Sequence, residues 1–301
     1  MTLIFVVGAT ATGKSAVALD LAERIGAEIV NADSMQLYQG MDIGTAKLAV
    51  SERRGIPHHL LDTLKVTEDS TVASYQNSAR VIIDQLLAEN KSVVVVGGTG
   101  LYVKAILDEL EFPATDPEVR AKIAAEAERL GGAIMHQRLA KLDPAAAAAI
   151  PAENVRRVVR ALEVIELTGK PFTANLPRGE NTRYPQARQF GLVMDRENLR
   201  ERIDERVEKM WRDGFVDEVR RLISLGIREG KTARAALGYA QILTFLDGEM
   251  SEDEAKEETK RATRQYARRQ ETWFSRDQRI TWLKPTPETD LAAQILSSTI
   301  R

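Results

Sequence analysis

Leu3-Ile4-Phe5-Val6-Val7-Gly8-Ala9-Thr10-Ala11-Thr12-Gly13-Lys14-Ser15 is the stretch on which the fold turns. Its first five residues are apolar without interruption. A half-exposed strand would alternate, so this run reads as a strand buried on both faces of a parallel sheet. After it, Val17, Leu19, Leu21, Ala22 and Ile25 keep helical spacing, and Gly26 stands where a helix C-cap belongs. Between strand and helix, residues 8–15 match G-x-x-x-x-G-K-[ST] in the setting the motif requires. Its glycines let successive backbone N–H groups point inward at an anion, the helix N-terminus adds partial positive charge and Lys14 a full one, and Ser15 is a candidate Mg2+ ligand. A di- or triphosphate is the ligand class this loop implies.

The βαβ alternation continues with an expected strand over 28–32, a helix over 75–90 and an all-valine strand ending at Val96. After Phe112 the character changes. Pro113, Pro117, Pro144 and Pro151 bracket alanine-rich stretches with few β-branched runs, which reads as a helical insertion over 113–188. A strand over 189–194 resumes the core, followed by helices over 196–213, 216–225 and 252–276 and a last short strand over 279–283. The expectation is an α/β fold: a P-loop NTPase-like doubly wound parallel sheet, split in sequence into 1–112 and 189–301, with a helical insertion domain.

Composition agrees with a soluble globular chain: 301 residues, 44% hydrophobic, 29% charged and 5% aromatic. With no cysteine, disulfides and thiolate zinc sites are excluded. His58, His59 and His136 are the only histidines, and the adjacent pair is read as shaping a loop rather than holding a metal. The leading apolar run is too short for a signal-peptide core and has no basic lead-in, so a cytoplasmic protein is expected, with no membrane attachment and a monomer as the default. A formal net charge of -2 argues against bulk-charge binding of nucleic acid. Yet residues 260–279 hold seven basic side chains (Lys260, Arg261, Arg264, Arg268, Arg269, Arg276, Arg279) against Glu271 and Asp277. A polyanion-binding surface and a solvated helix face are both open readings of that window. Trp211, Trp273 and Trp282 are read as packing residues.

A nucleotide hydrolase should carry an aspartate after a hydrophobic strand. Here the valine strand runs into Gly97-Gly98-Thr99-Gly100 instead. The carboxylate that fits is Asp33, at the end of the second strand, where it shares a crevice with the phosphate loop. A metal ligand and a general base are both open to it, and the plain alternative is a turn aspartate.

Together these segments resemble one family. The phosphate loop, Asp33-Ser34-Met35-Gln36-Leu37-Tyr38, the runs 40–47 and 55–60, Val96-Gly97-Gly98-Thr99-Gly100-Leu101-Tyr102, the runs 116–120 and 156–164, Arg202-Ile203, Arg206-Val207, Gly238-Tyr239 and residues 264–270 occur in the order found in bacterial tRNA dimethylallyltransferases, the IPP transferase family. The resemblance implies transfer of a dimethylallyl group from dimethylallyl diphosphate to the exocyclic N6 amine of adenosine 37 in tRNAs that read codons starting with U. It implies Mg2+ at Ser15 and diphosphate on Gly8, Ala9, Thr10, Ala11, Thr12, Gly13, Lys14 and Ser15. Asp33 matches the proton-accepting carboxylate, Arg206 an arginine on the diphosphate, and Thr99 a residue of the channel where donor and adenine meet. Contacts to the tRNA anticodon stem-loop are implied at Asp33, Ser34, Met35, Gln36, Thr99, Arg120, Arg156, Arg157 and Arg160. The basic helix around Arg264 to Arg269 is added as a surface for the RNA backbone. Ala9 stands where the family usually has proline, and Ala240 where it has lysine or arginine. No cysteine is present to build the zinc finger of eukaryotic relatives. Two rivals share the phosphate loop: a small-molecule or nucleotide kinase using ATP, and a non-catalytic RNA-binding switch.

Overall fold

A strand buried on both faces needs backbone partners on both edges, and β1 (Leu3–Gly8) has them in the computed structural model, which describes residues 1–110, 112–113, 115–175, 182–286 and 288–299. Five further strands complete a wholly parallel sheet: β2 (Glu28–Asn31), β3 (His58–His59), β4 (Val93–Gly97), β5 (Arg188–Leu192) and β6 (Ile280–Leu283). Their order is β3-β2-β4-β1-β5-β6, with Ile4 opposite Val94 on one side of β1 and Val6 opposite Phe190 on the other. The chain moves outward from β1 to β2, returns to β4 and crosses to β5, so its direction reverses at the β1–β4 pair. The crevice beyond the carboxyl ends of such a pair is where an open α/β sheet places a ligand.

Helices α1 (Lys14–Ile25), α2 (Val72–Ala88) and α3 (Gly100–Leu107) follow strands of the first half. The insertion carries α4 (Pro117–Leu130), α5 (Gly132–Leu142), α6 (Pro144–Ala149) and α7 (Val155–Thr168). The second half adds α8 (Arg196–Arg212), α9 (Phe215–Ser224), α10 (Tyr239–Leu246), α11 (Glu252–Phe274) and α12 (Leu291–Thr299). Ile4, Val6, Ile29 and Val94 pack with Leu21 of α1 and Ile295 of α12. A separate apolar cluster joins Tyr38 and Met41 to Phe215, Val219, Tyr239 and Ile242. At Gly8 the φ of +132° and the approach of the Leu192 carbonyl, 2.6 Å from where a Cβ would stand, admit only glycine.

The chain divides into two units, Met1–Ile106 with Tyr184–Arg301, and Leu107–Arg183. These boundaries lie ahead of the expected 113 and 188. The reason is a short pairing of the outgoing and returning chain: Asp108 bridges Thr182, and the Arg183 N–H donates to the Leu107 carbonyl at 2.7 Å. Within the smaller unit Pro117 and Pro144 open helices, as their missing N–H permits. Asp116 caps α4 at Pro117, and Asp143 caps α6 at Pro144. Ile123, Met135, Leu139, Val158 and Leu162 form that unit's core.

Two expectations need correction. His58 and His59 are not loop residues: they form the edge strand β3, opposite Ile29 and Val30, with His59 Nε2 2.7 Å from Glu28 Oε2. Helices α3, α10 and α12 were not anticipated. Two of them begin at or beside a glycine that reads in sequence as a turn, Gly100 for α3 and Gly238 for α10. Among the described residues no helix is long and apolar enough to cross a membrane.

Candidate active site

The phosphate loop is built by packing beneath it and by its own hydrogen bonds. Ala9 is buried against Leu199 and Ile203 of α8 and Ala267 of α11. Its carbonyl accepts the Thr12 hydroxyl at 2.8 Å and the Lys14 ammonium. Ala11 adopts a φ of +63°, in the left-handed region that anion-binding nests use. The Thr10 N–H donates to Gln270 Oε1 at 2.9 Å, so α11 holds the loop's crown.

This loop forms one wall of a cavity of about 810 Å3. Lys14, Arg202, Arg206, Lys209 and Arg212 face it against Asp33, Glu205 and Glu208, an excess of cations suited to a diphosphate. Arg206, on α8, donates to the Thr10 hydroxyl at 3.2 Å and to the Thr45 carbonyl at 3.4 Å. A second cavity of about 330 Å3 adjoins it and shares Thr10, Asp33, Thr45, Arg206 and Tyr266 with the first. Its remaining walls are mostly apolar, with Ile203, Val207, Met210, Phe215 and Leu237 among them. Asp33 thus stands where a cationic chamber meets a hydrocarbon one.

Asp33 is fixed by its neighbours. Its N–H donates to Asn31 Oδ1 at 2.9 Å, its carbonyl accepts from Asn31 Nδ2, and its own Oδ1 accepts the Met35 N–H at 2.9 Å. The turn role is therefore real, and it leaves a carboxylate facing both chambers. Thr99 meets this segment through Ser34, whose N–H donates to the Thr99 hydroxyl at 3.0 Å. Gln36 holds the Thr45 carbonyl at 3.1 Å. Tyr266 faces Thr99 and Gln270, and burial, helped by the Asp33 charge, pushes its phenol up to about 12.

Burial, and after it the Arg206 guanidinium, push Lys14 down to about 7, while the Asp33 carboxylate acts the other way. A dianionic phosphate beside the ammonium favours its charged form, so binding takes up a proton once pH exceeds about 7. Diphosphate affinity is therefore expected to fall as pH rises from about 7 to 9. In Lys14→Arg, whose charge is permanent, only the ligand's own titration should remain. Calorimetry of inorganic diphosphate in two buffers of different ionisation enthalpy measures the proton uptake; equal uptake in both proteins would remove Lys14 from the linkage.

The structure separates the sequence-predicted RNA residues into two groups. Asp33, Ser34, Met35, Gln36 and Thr99 lie in the larger unit. Arg120 and Arg160 lie in the smaller one, where both pair with the fully buried Glu163, at 2.9 and 3.0 Å. Arg156 and Arg157, on the same helix α7, are exposed. The basic window 260–279 is reduced by acidic partners, most of which lie outside it. Lys260 binds Glu208 and Glu257, Arg261 binds Glu258, Arg264 binds Asp204, and Arg279 binds Asp277. Arg268, Arg269 and Arg276 stay exposed. Trp211 packs edge-on against Phe215, ring centroids 5.4 Å apart, as its packing reading requires. Trp273 and Trp282 also pack, on Gly100 and Gly191, but remain 43% and 37% exposed. Ala240 is the second residue of α10, its methyl leaving no charge there. Sequence reasoning singled out no role for Gln270, Thr45 and Glu218; the first two lie within the family-matching runs 264–270 and 40–47, and Glu218 has no signal but its position in space.

Fold and site together define an α/β phosphate-loop protein with a carboxylate held at a crevice between a cationic and an apolar chamber. The family model described as IPP transferase matches residues 36–277. A tRNA dimethylallyltransferase of Thermobifida fusca is 60% identical over 94% of this chain and 89% of its own. The crystal structure of the tRNA isopentenylpyrophosphate transferase of Bacillus halodurans is similar at a TM-score of 0.71 and 38% identity, covering 99% of this chain and 94% of that one. A eukaryotic dimethylallyltransferase acting on tRNA aligns at a TM-score of 0.83 and 25% identity, covering 99% and 77%. The chain belongs to the IPP transferase family.

Proposed function

We propose that this chain transfers the dimethylallyl group of dimethylallyl diphosphate to N6 of adenosine 37 of tRNA, giving N6-isopentenyladenosine and diphosphate. The observation that carries the reading is Asp33 at the junction of the two chambers, in a member of a tRNA-prenylating family. The cationic chamber takes the diphosphate, on the loop N–H groups, Lys14 and Arg206, and the apolar one takes the five-carbon chain. The allylic carbon–oxygen bond breaks with its electron pair leaving on the diphosphate. N6 bonds to that carbon and its proton passes to Asp33. The charge that develops on the departing oxygen meets donors already in place, the arrangement that lowers such a barrier most.

Mg2+ fits the donor set. No three His, Cys, Asp or Glu side chains converge on a metal cage among the described residues. Mg2+ bound through substrate phosphates and water asks little of the protein, and the Ser15 hydroxyl on the cavity wall would hold it. When bound it neutralises charge on the diphosphate. The target base has to leave its stack to reach Asp33, which calls for a grip on the anticodon stem-loop. Arg156 and Arg157 supply exposed cations for it, with Arg120 and Arg160 oriented by Glu163. The enzyme acts as a cytoplasmic monomer.

The test is an anticodon stem-loop with adenosines at 36 to 38, incubated with protein, Mg2+ and either dimethylallyl diphosphate or ATP, and weighed by mass spectrometry. One isopentenyl group gained with the prenyl donor alone is expected. An unmodified RNA with ATP consumed would replace this reading by the kinase.

A further inference from the structure

Tyr266, Gln270 and Trp273 follow one another at i, i+4 and i+7 along α11 and so share one face of it. Tyr266 and Gln270 are accounted for: both line the cationic cavity, and Gln270 is tied at each end of its amide, to Thr10 and, at 2.8 Å, to the Gly98 carbonyl. Trp273 is not accounted for. Its five-membered ring lies over Gly100, the first residue of α3, so closely that a Cβ there would fall 2.0 Å from Cδ1. Gly100 follows Thr99, which bonds to Ser34 beside Asp33. The indole is thus seated against the glycine next to the channel threonine, yet 43% of the residue stays open to solvent.

Its neighbours match the opening. Arg269, one turn before it, and Arg276, just past the helix end, are exposed and have no carboxylate partner among the described residues, unlike Lys260, Arg261, Arg264 and Arg279. Arg269 lies 5.7 Å over the Tyr266 ring, and Arg276 stands clear of it; a solvent-open aromatic face flanked by two exposed guanidinium groups without carboxylate partners is the arrangement by which proteins hold unpaired nucleotides, the base stacked on the ring and the phosphates on the cations.

We propose that Trp273 is a stacking platform for the nucleobase next to the target adenosine in the substrate loop, with Arg269 and Arg276 holding the adjoining phosphates. The assignment rests on the RNA substrate proposed above. Extruding one base strips its neighbour of a stacking partner, and the indole replaces it, so that the loop is held open while Asp33 works. Trp273 is a positioning residue: it touches the RNA but neither the donor nor the reacting atoms.

The test compares Trp273→Ala, Trp273→Phe and, as a control on the other exposed indole, Trp282→Phe. Stem-loop affinity in Trp273→Ala is expected to fall about 5- to 150-fold, the range for losing one base–aromatic stack. KM for the stem-loop should rise with it, KM for dimethylallyl diphosphate should not move, and Trp273→Phe should recover most of the loss. Fluorescence of 2-aminopurine placed at 36 or at 38 should be quenched on binding wild type and Trp282→Phe, and not on binding Trp273→Ala. Wild-type affinity in Trp273→Ala, or a phenylalanine variant no better than alanine, overturns the proposal. So does a fall in donor affinity and melting temperature in step with RNA affinity, which marks a packing residue. A wild-type protein that leaves the stem-loop unmodified is a different failure, that of the functional reading and with it of this one.

Discussion

Asp33→Ala is expected to lower turnover by about two to four orders of magnitude, the usual worth of a positioned proton acceptor, while the affinity for dimethylallyl diphosphate should change little. The split follows from geometry: the loop N–H groups, Lys14 and Arg206 stay in place to hold the donor, and the group lost is the one at the chamber junction. Alanine alone leaves an ambiguity, since Asp33 Oδ1 also accepts the Met35 N–H and its loss loosens the turn. Asp33→Asn resolves it. An amide oxygen accepts the same N–H, so the turn survives, but an amide takes no proton from an adenine amine. Equal loss of kcat in both variants, measured under saturating donor, assigns the effect to the carboxylate. Full activity in Asp33→Asn would reduce Asp33 to a turn residue.

The second large effect falls on stability. Glu218, in α9 and 1% exposed, accepts the N–H groups of Asp42 at 3.1 Å and Ile43 at 2.7 Å on one oxygen. Its other oxygen takes the Gly44 N–H at 3.2 Å and the Tyr239 hydroxyl at 2.7 Å. Glu218→Ala removes the acceptor of one buried hydroxyl, Tyr239, and of three part-buried N–H groups, and at about 1–3 kcal/mol for each unmet group, with relief by relaxation and by water at the exposed Asp42, a net loss of about 3–5 kcal/mol is expected. That corresponds to a melting temperature lower by about 6–20 °C. The segment so released ends at Thr45, whose carbonyl seats both Gln36 and Arg206, so diphosphate affinity should fall as well. A melting temperature within a degree of wild type would mean the segment is held by other contacts, foremost Lys47, which bridges the Tyr38 carbonyl, Asp42 and Asp62.

Sequence legibility followed how local each determinant is. The five apolar residues of β1, the valines of β4 and the phosphate loop between β1 and α1 declare themselves within a dozen positions, because burial on both faces and anion binding each demand a run of consecutive residues. β3 does not: two histidines cannot show a period, and only pairing with β2 makes them a strand. Glu218 was invisible for a related reason. A glutamate on an amphipathic helix reads as solvated until the 42–44 backbone, far away in sequence, is laid over it. The basic window misled in the same direction. Its charge excess is real along the chain, but Asp204 and Glu208 of α8 cancel part of it across the helix pair, leaving free cations only at Arg268, Arg269 and Arg276. Asp33 was legible as a position and not as a role, since spacing places a carboxylate at a crevice without saying whether it holds a metal or takes a proton.

The sheet order carries a consequence for how the molecule is made. β1 lies between β4, finished early, and β5, which follows the whole insertion. On a ribosome adding about 5–20 residues per second, the nascent chain waits several seconds with one side of its central strand unpaired. During that interval the phosphate loop also lacks α8 and α11, the sources of Arg206 and Gln270. The complete cavity therefore arises late and all at once, with the closing of the β1–β5 pair, and until then the bare strand edge is open to wrong pairing.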